Sequence, residues 1–546
     1  MKKLRVFRTS LLFLILFAYT NLHAQAPPIQ WSKTYGGTAL DQATIIQATS
    51  DGGYIVGGKV QSANGDITGY HSSTIGPDDI WIIKLDALGN IAWKRIWGGS
   101  SEDILYSISQ TKDGGYIACG YSGSNDGDAK IDTNLNAQAV VMKLGASGNI
   151  IWQKLLGGNG DDAAYDIRQT FDGYIMVGWT NSSNGDVPEG THLDSMGYNS
   201  PDIWIVKLND TGKIIWQKTY GGSREDVPQS IEISRDSGYI IGAYTFSGNG
   251  DVYKHMGNRY TSDYWILKLT ATGDMSWNKV LGGTQNDMCQ GVKQTPDGGY
   301  LAYGITLSND NDVHSNHLDS TGKPSADVWL VKLSTDGNVT WSKTYGGSLN
   351  ERNANLQITA DSGYALCSST YSNDGDVAGK HIYLLYVTSD MWVARLSKNG
   401  TLMWQKCMGG ALDDAAYSIT LTNDKGYCVA GYTASNDADV SGNHGAYDYW
   451  VVKLHDTATG IPQPTLMSDI RLFPNPTTNT LKIQYHIEDD CYIDIYDVLG
   501  KKITEVELSK SATSLSITTT NWVPGVYYYY VRQQDKIIIH GKIVRQ

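Results

Sequence analysis

Apolar and polar positions alternate along most of this chain in short runs, and Gly, Asn and Asp interrupt the runs at close intervals. The stretch 79–99, DIWIIKLDALGNIAWKRIWGG, sets the pattern. An apolar run that opens on Asp79 and carries Trp81 leads to a turn at Gly89, and a second run with Trp93 closes on Gly98-Gly99. Apolar residues at helical spacing are absent from this part of the sequence, so strands are expected throughout. In the first copy they fall at 41–49, 53–60, 79–86 and 90–97.

The segment repeats. Its second Trp recurs as Trp31, Trp93, Trp152, Trp216, Trp277, Trp341 and Trp404, spaced 59 to 64 residues apart. The upstream Trp recurs as Trp81, Trp204, Trp265, Trp329, Trp392 and Trp450, with Val140 in its place once, and an Asp-x-Gly-Tyr turn ends on Tyr54, Tyr116, Tyr239, Tyr300, Tyr364 and Tyr427. Four short strands repeated seven times without a helix predict an all-β fold, a seven-bladed β-propeller over 25–455. The chain enters with a lone outer strand near Ile29 and its last copy, ending at Leu454, lacks one, so the first strand is expected to complete the last blade and remove the open edge. An open solenoid is the competing architecture, but its coils are shorter than this period.

The segment KLDALGNIAW resembles the strand-turn-strand of quinoprotein-type propeller repeats. With SNDGDV and DYWVVKL, the whole unit looks like repeats of exported Bacteroidetes-type proteins. That resemblance covers 29–455 and implies the fold; propellers host many activities, so it implies no particular one.

Strands that alternate in direction put the long connections between second and third strands on one face, where binding is expected. Acids gather there. One set follows each Gly-Gly: Asp41, Asp103, Asp162, Asp226, Asp287, Glu351 and Asp414. A second ends each loop element: Asp66, Asp128, Asp186, Asp251, Asp312, Asp376 and Asp439. A third opens the third strand: Asp79, Asp202, Asp263, Asp327, Asp390 and Asp448, with Gln138 once. The loop set makes calcium the candidate cofactor, since Ca²⁺ takes about six to eight oxygen ligands. The competing role is capping tight turns by accepting backbone N–H groups. His71, His192, His255, His314, His317, His381 and His444 lie in the same loops, where recurrence in nearly every blade favours loop-pinning over a transition-metal site. No blade breaks this symmetry decisively, and no catalytic residue is assigned.

Residues 1–24 read as a secretory signal peptide, with a basic start at Lys2, Lys3, Arg5 and Arg8, an apolar core LLFLILFAY and cleavage after Ala24. The core is shorter than the about 20 residues that span a bilayer, so no integral membrane segment is expected. Composition agrees with an exported β protein: 60 Gly, 35 Tyr and 16 Trp. A formal charge of −13 excludes nucleic acid as the expected partner. Six Cys show no metal-type spacing; one disulfide, Cys407–Cys428, is open in an oxidising compartment. Signatures of a serine-hydrolase elbow, a zinc protease helix and a phosphate loop are missing, while abundant carboxylates leave a glycosidase or lyase open.

The repeat ends at Leu454, a linker follows at 456–465, and 466–546 forms a separate β unit with alternating runs at 481–487, 492–496, 515–519, 526–531 and 537–544. Leu472-Phe473-Pro474-Asn475-Pro476, then Ile495-Tyr496-Asp497 with Gly500-Lys501, then Gly525-Val526-Tyr527 and Lys542-Ile543-Val544, resemble in order the type A sorting domain of the type IX secretion system. Trp522 and Pro524 depart from the smaller or aliphatic residues usual there. The resemblance implies an immunoglobulin-like sandwich, with Pro474, Asn475, Pro476, Gly500, Gly525 and Tyr527 as its motif residues. It also implies the type IX machinery as partner, a destination outside the cell or on its outer surface, and removal of the domain, or its exchange for a surface anchor, on the way. The expected function is a binding or adhesion propeller whose ligand is a glycan or surface macromolecule. A polysaccharide-processing enzyme and an architectural surface protein are the alternatives.

Overall fold

The structure is a computed structural model that describes residues 25–72, 76–130, 136–187, 192–193, 197, 199–382, 386–455, 471–485, 490–498, 500–533 and 536–546. The leader with its Ala24 cleavage position and the linker lie outside the described residues. The chain divides into two compact units, 1–456 and 457–546.

In the first unit β1 (Ile29–Tyr35) is followed by β2 (Asp41–Ala48), β3 (Tyr54–Val60), β4 (Asp79–Leu85) and β5 (Ile91–Trp97), and β2 to β5 pair in order as one antiparallel blade. The same sheet recurs at 103–156, 162–220, 226–281, 287–345 and 351–408. The seventh blade has three strands of its own, Asp414–Leu421, Tyr427–Thr433 and Asp448–Leu454, and takes β1 as its fourth, with Trp31 opposite Lys453 and Tyr35 opposite Tyr449. This is the expected seven-bladed propeller closed by its N-terminal strand. The first strands of successive blades neighbour one another around the centre, so they line the channel.

The repeated residues that revealed the fold are those that join the blades. Each outer-strand Trp packs against the turn Tyr of the following blade. The contact is edge-on in five pairs, among them Trp93–Tyr116 at 5.7 Å and 67° and, across the seam, Trp31–Tyr54 at 5.8 Å and 69°, and tilted in Trp216–Tyr239 and Trp341–Tyr364. Such a contact contributes about 1 kcal/mol beyond its buried area. The third-strand Trp residues are fully buried, and the indole N–H groups of Trp204, Trp265, Trp329, Trp392 and Trp450 reach the outer strand, as in Trp450 to Ser32 Oγ at 2.8 Å. On the tight-turn face a buried Lys at the end of each third strand meets the turn Asp: Lys84 Nζ lies 2.9 Å from Asp51 and Lys143 Nζ 2.9 Å from Asp113, while Arg395 takes the role in the sixth blade. Against burial, the Thr49 and Thr111 hydroxyls, and after them these cations and backbone N–H donors, hold the Asp51 and Asp113 carboxyls down at about 2.

Every first strand carries a β-bulge, which the alternation of the sequence does not announce. It leaves Thr44, Tyr106, Tyr165, Gln229, Gln290 and Tyr417 unpaired in the ladder, and the 353–354 pair in the sixth blade.

All six cysteines are free and buried. The Cys407–Cys428 disulfide does not form, because Cys407 faces the interface of the fifth and sixth blades and Cys428 that of the seventh and first.

The second unit is a sandwich of a three-stranded and a four-stranded sheet. Two strands escaped the sequence pattern: Arg471–Phe473, which runs into prolines, and Lys502–Leu508, whose charged residues break the apolar alternation.

Candidate functional site

The three acid sets meet at the junctions between blades. Asp103 Oδ2 accepts the N–H of Gly99 at 2.8 Å and the hydroxyl of Ser124 at 2.7 Å, and Ser122 donates to its other oxygen. Asp79 Oδ2, from the preceding blade, accepts the backbone N–H of His71 at 2.8 Å and lies 2.9 Å from its Nδ1. The far ring nitrogen of His71 is 3.5 Å from Asp128 in the loop of the next blade. Glycine is required here by close approach: a Cβ on Gly36 would sit 2.5 Å from Asp448 and 2.8 Å from Asp41. Burial and then the neighbouring acid push the carboxyls of Asp41 and Asp103 up to about 6 and those of Asp287 and Asp414 up to about 7, against the hydrogen bonds they accept.

The calcium candidates have the same structural setting. The backbone N–H groups of Asp66, Asp128, Asp186, Asp251, Asp312, Asp376 and Asp439 donate to the carbonyl of the first Gly of each Gly-Gly pair. The carboxylates of Asp66, Asp186, Asp251, Asp312, Asp376 and Asp439 accept that glycine's N–H in return, at 3.1 to 3.4 Å. Among the described residues no group of three or more His, Cys, Asp or Glu is arranged to hold a metal ion. Five more histidines pair with the acid that opens the third strand: His192, His317, His381 and His444 through Nδ1, and His255 more loosely through Nε2 at 3.7 Å. His314 is exposed. An open groove of about 530 Å³ at the seam, walled by Lys33, Asp66, Asn90 and His444, borrows its lining from this fastening system.

Symmetry does break, at the mouth of the channel. Tyr106 and Tyr165, the bulged residues of the second and third blades, stack face to face with centroids 4.4 Å apart and planes 9° apart. The next-to-last position of each second strand adds Tyr121, Trp179 and Tyr244 in the second to fourth blades, where the first, fifth and sixth carry Lys59, Ile305 and Ser369. Phe246 packs edge-on to Tyr244 at 6.1 Å. These rings are half-buried.

Acids stand among them. Burial, then the charges of Asp161 and Glu102, raise the Tyr121 hydroxyl, and Glu225 acts on Tyr165 and Tyr244 after burial. Partial desolvation raises Glu225 itself. A second aromatic wall comes from the sixth and seventh blades, where Tyr432 lies 4.7 Å from Tyr447 and 6.0 Å from Tyr417, and the Arg352 guanidinium sits over Tyr371 at 5.3 Å. Blades one and five separate the two walls. The sequence reading missed this site because it followed what recurs; the signal was aromatics at one repeat position in some copies only.

In the second unit Asn475, between the exposed Pro474 and Pro476, bridges to the last strand: its Nδ2 donates to Lys542 O at 2.8 Å and its Oδ1 accepts from Val544 N at 2.9 Å. Gly500 takes a left-handed φ of 81° in the turn after Asp497. Gly525 begins the long strand Gly525–Gln533, and the Tyr527 hydroxyl donates to Val523 O at 2.8 Å.

Residues 471–546 match the model of the secretion system C-terminal sorting domain. No curated protein matches the chain in sequence. Among solved structures, a protein of unknown function from Bacteroides caccae is similar at 12% identity and a TM-score of 0.25, over 63% of this chain and 94% of that one. The Pan2 WD40 domain of Neurospora crassa is similar at 10% and 0.38 over 75% and 88%, and Sqt1 from Chaetomium thermophilum at 10% and 0.38 over 78% and 100%. None of these likenesses bears on activity.

Proposed function

Starting from a chain that ends in a type IX sorting domain, and is therefore secreted or held at the outer cell surface, we propose that the propeller is a binding module that takes a glycan at the channel mouth. The observation that supports this most is the stacked Tyr106–Tyr165 pair, set with Tyr121, Trp179 and Tyr244 on three consecutive blades, where the first, fifth and sixth blades carry no aromatic at either position. Flat half-buried rings give platforms for the apolar face of a sugar, and the acids and tyrosine hydroxyls around them bond its hydroxyls. The fastening acids are unsuited to the task, because the fold already uses them. The test is a glycan-array screen of the full chain, followed by titration calorimetry of a hit against Tyr106→Ala and Trp179→Ala. Affinity is expected to drop about tenfold or more for each, as for an aromatic anchor in a pocket. Hits that both variants bind like the parent would move the site elsewhere.

A second reading, a polysaccharide-processing enzyme, draws on one feature. Glu225 has a raised carboxyl, the property of a general acid, and Glu102 and Asp161 stand near the neighbouring tyrosine. Release of reducing ends from a bound polysaccharide, lost in Glu225→Gln, would favour it over simple binding.

A further inference from the structure

The two aromatic walls differ in one respect. On the sixth and seventh blades the protein supplies its own cation, Arg352, to the face of Tyr371. On the second to fourth blades it supplies carboxylates and leaves them unmatched: among the described residues neither Glu102 nor Glu225 forms an ion pair or a side-chain hydrogen bond. Asp161 is only partly engaged, its Oδ1 accepting the Ala137 N–H at 3.1 Å. A wall of half-buried tyrosine and tryptophan rings with unneutralised acids beside them is complementary to a cation, which gains from the ring faces and the carboxylates together.

The geometry points to an amine-bearing saccharide, an oligomer of glucosamine type with free protonated amino groups, as the ligand of the wall formed by the second to fourth blades. This rests on the glycan reading given above and narrows it. A neutral sugar would use the rings and offer hydroxyl donors to Glu102 and Glu225, but it would leave their negative charge unneutralised, which a protonated amine does not. A cationic peptide is the competing occupant of the same charge, and the backbone disfavours it. Extended peptides dock by pairing with a free strand edge, and the bulge at Leu105–Ser107 and its counterpart at Ala164–Asp166 interrupt that edge where it reaches the channel mouth.

The experiment is titration calorimetry of the full chain at neutral pH and low salt with a glucosamine tetramer, its fully N-acetylated counterpart and tetralysine. The same ligands are run against the Glu102→Gln/Glu225→Gln variant, whose fold is checked by its melting curve. Both substitutions are at exposed positions and keep side-chain size. The free-amine tetramer is expected to bind about tenfold more tightly than the acetylated one, with the difference lost in the variant and reduced by salt. Equal binding of the two tetramers, or a preference the variant retains, would overturn the amine assignment while leaving the glycan reading intact. Binding of neither saccharide would overturn both. Tetralysine binding in preference to the saccharides, abolished in the variant, would replace the saccharide by a peptide.

Discussion

His71 and Asp79 form a closed pair: one carboxylate oxygen accepts the His71 backbone N–H at 2.8 Å and lies 2.9 Å from its ring Nδ1. The partners are lost together. In the second blade Gln138 stands where Asp79 stands in the first, and the loop before it contains no histidine. The Gln amide donates instead to the carbonyls of Asn136 and Ala137 at 3.1 Å. The buried acid and the imidazole go together: the one blade that lacks the acid also lacks the imidazole.

Gln138→Asp therefore places a buried carboxylate at a junction with no imidazole to meet it, beside Asp162. Urea unfolding at neutral pH should show a loss of about 1–3 kcal/mol, the usual cost of an unmatched buried polar group. The loss should shrink at acid pH, where the new carboxyl takes up a proton. A loss independent of pH would contradict the pairing argument.

The junction acids set an uncommon pH profile. Asp226, Asp263, Asp287 and Asp414 titrate at about 7 in the folded chain, burial being the first cause, against an ordinary 3.8. Between those values the folded state binds more protons than the unfolded one, so rising pH weakens the fold. Their contribution is complete below about pH 4 and is lost as the pH passes about 7. The turn acids Asp51, Asp113 and Asp424, held at about 2, act in the opposite sense and lose their contribution as pH falls from about 4 towards 2. Scanning calorimetry across this range should place the highest Tm in the mildly acid region, falling towards pH 8. A Tm that climbs through neutrality would refute the assignment.

Deleting Ile29–Tyr35 removes the outer strand of the seventh blade and with it the Trp31–Tyr54 contact and the Ser32 partner of Trp450. The Asp448–Leu454 strand then presents an open edge, the usual route to aggregation. Size-exclusion chromatography should show soluble aggregates, and the melting transition should broaden or drop by several degrees. A monomer with an unchanged sharp transition would show that closure is dispensable.

Asp113→Ala should cost about 1 kcal/mol or less, because Asp113 is largely exposed although Lys143 is buried. The same change at Asp361 strands the buried Arg395 guanidinium, which cannot shed its charge as a lysine can, and should cost more. Parallel denaturant melts compare the two; equal losses would mean that lysine and arginine are interchangeable at this turn.

The fold was legible because its fastening residues recur: Trp93 and Tyr116 carry information only as a spaced pair repeated down the chain, and each marks a contact between blades. The His–Asp pairing was half legible, with His position evident and its carboxylate partner not. Spacing within one loop does not show that His71 folds back on Asp79. The channel mouth was illegible for the opposite reason. Tyr106 and Tyr165 occupy bulges, which alternation does not reveal, and their importance lies in differing from Thr44 and Gln290. The Cys407–Cys428 pairing, which the sequence leaves open, is ruled out only by the fold, because the two side chains face different blade interfaces.

The pairing of Trp31 with Lys453 also orders events in time. The strand made first waits for the strand made last, so no partial chain can close the ring, and synthesis or passage must be nearly finished before the propeller exists. The sorting domain is encoded still later, after Leu454. A chain synthesised from its first strand as far as the address therefore already holds every strand needed for closure. A product truncated before residue 471 lacks the address, so the linear order of the chain ties the signal for export to the presence of the closing strands.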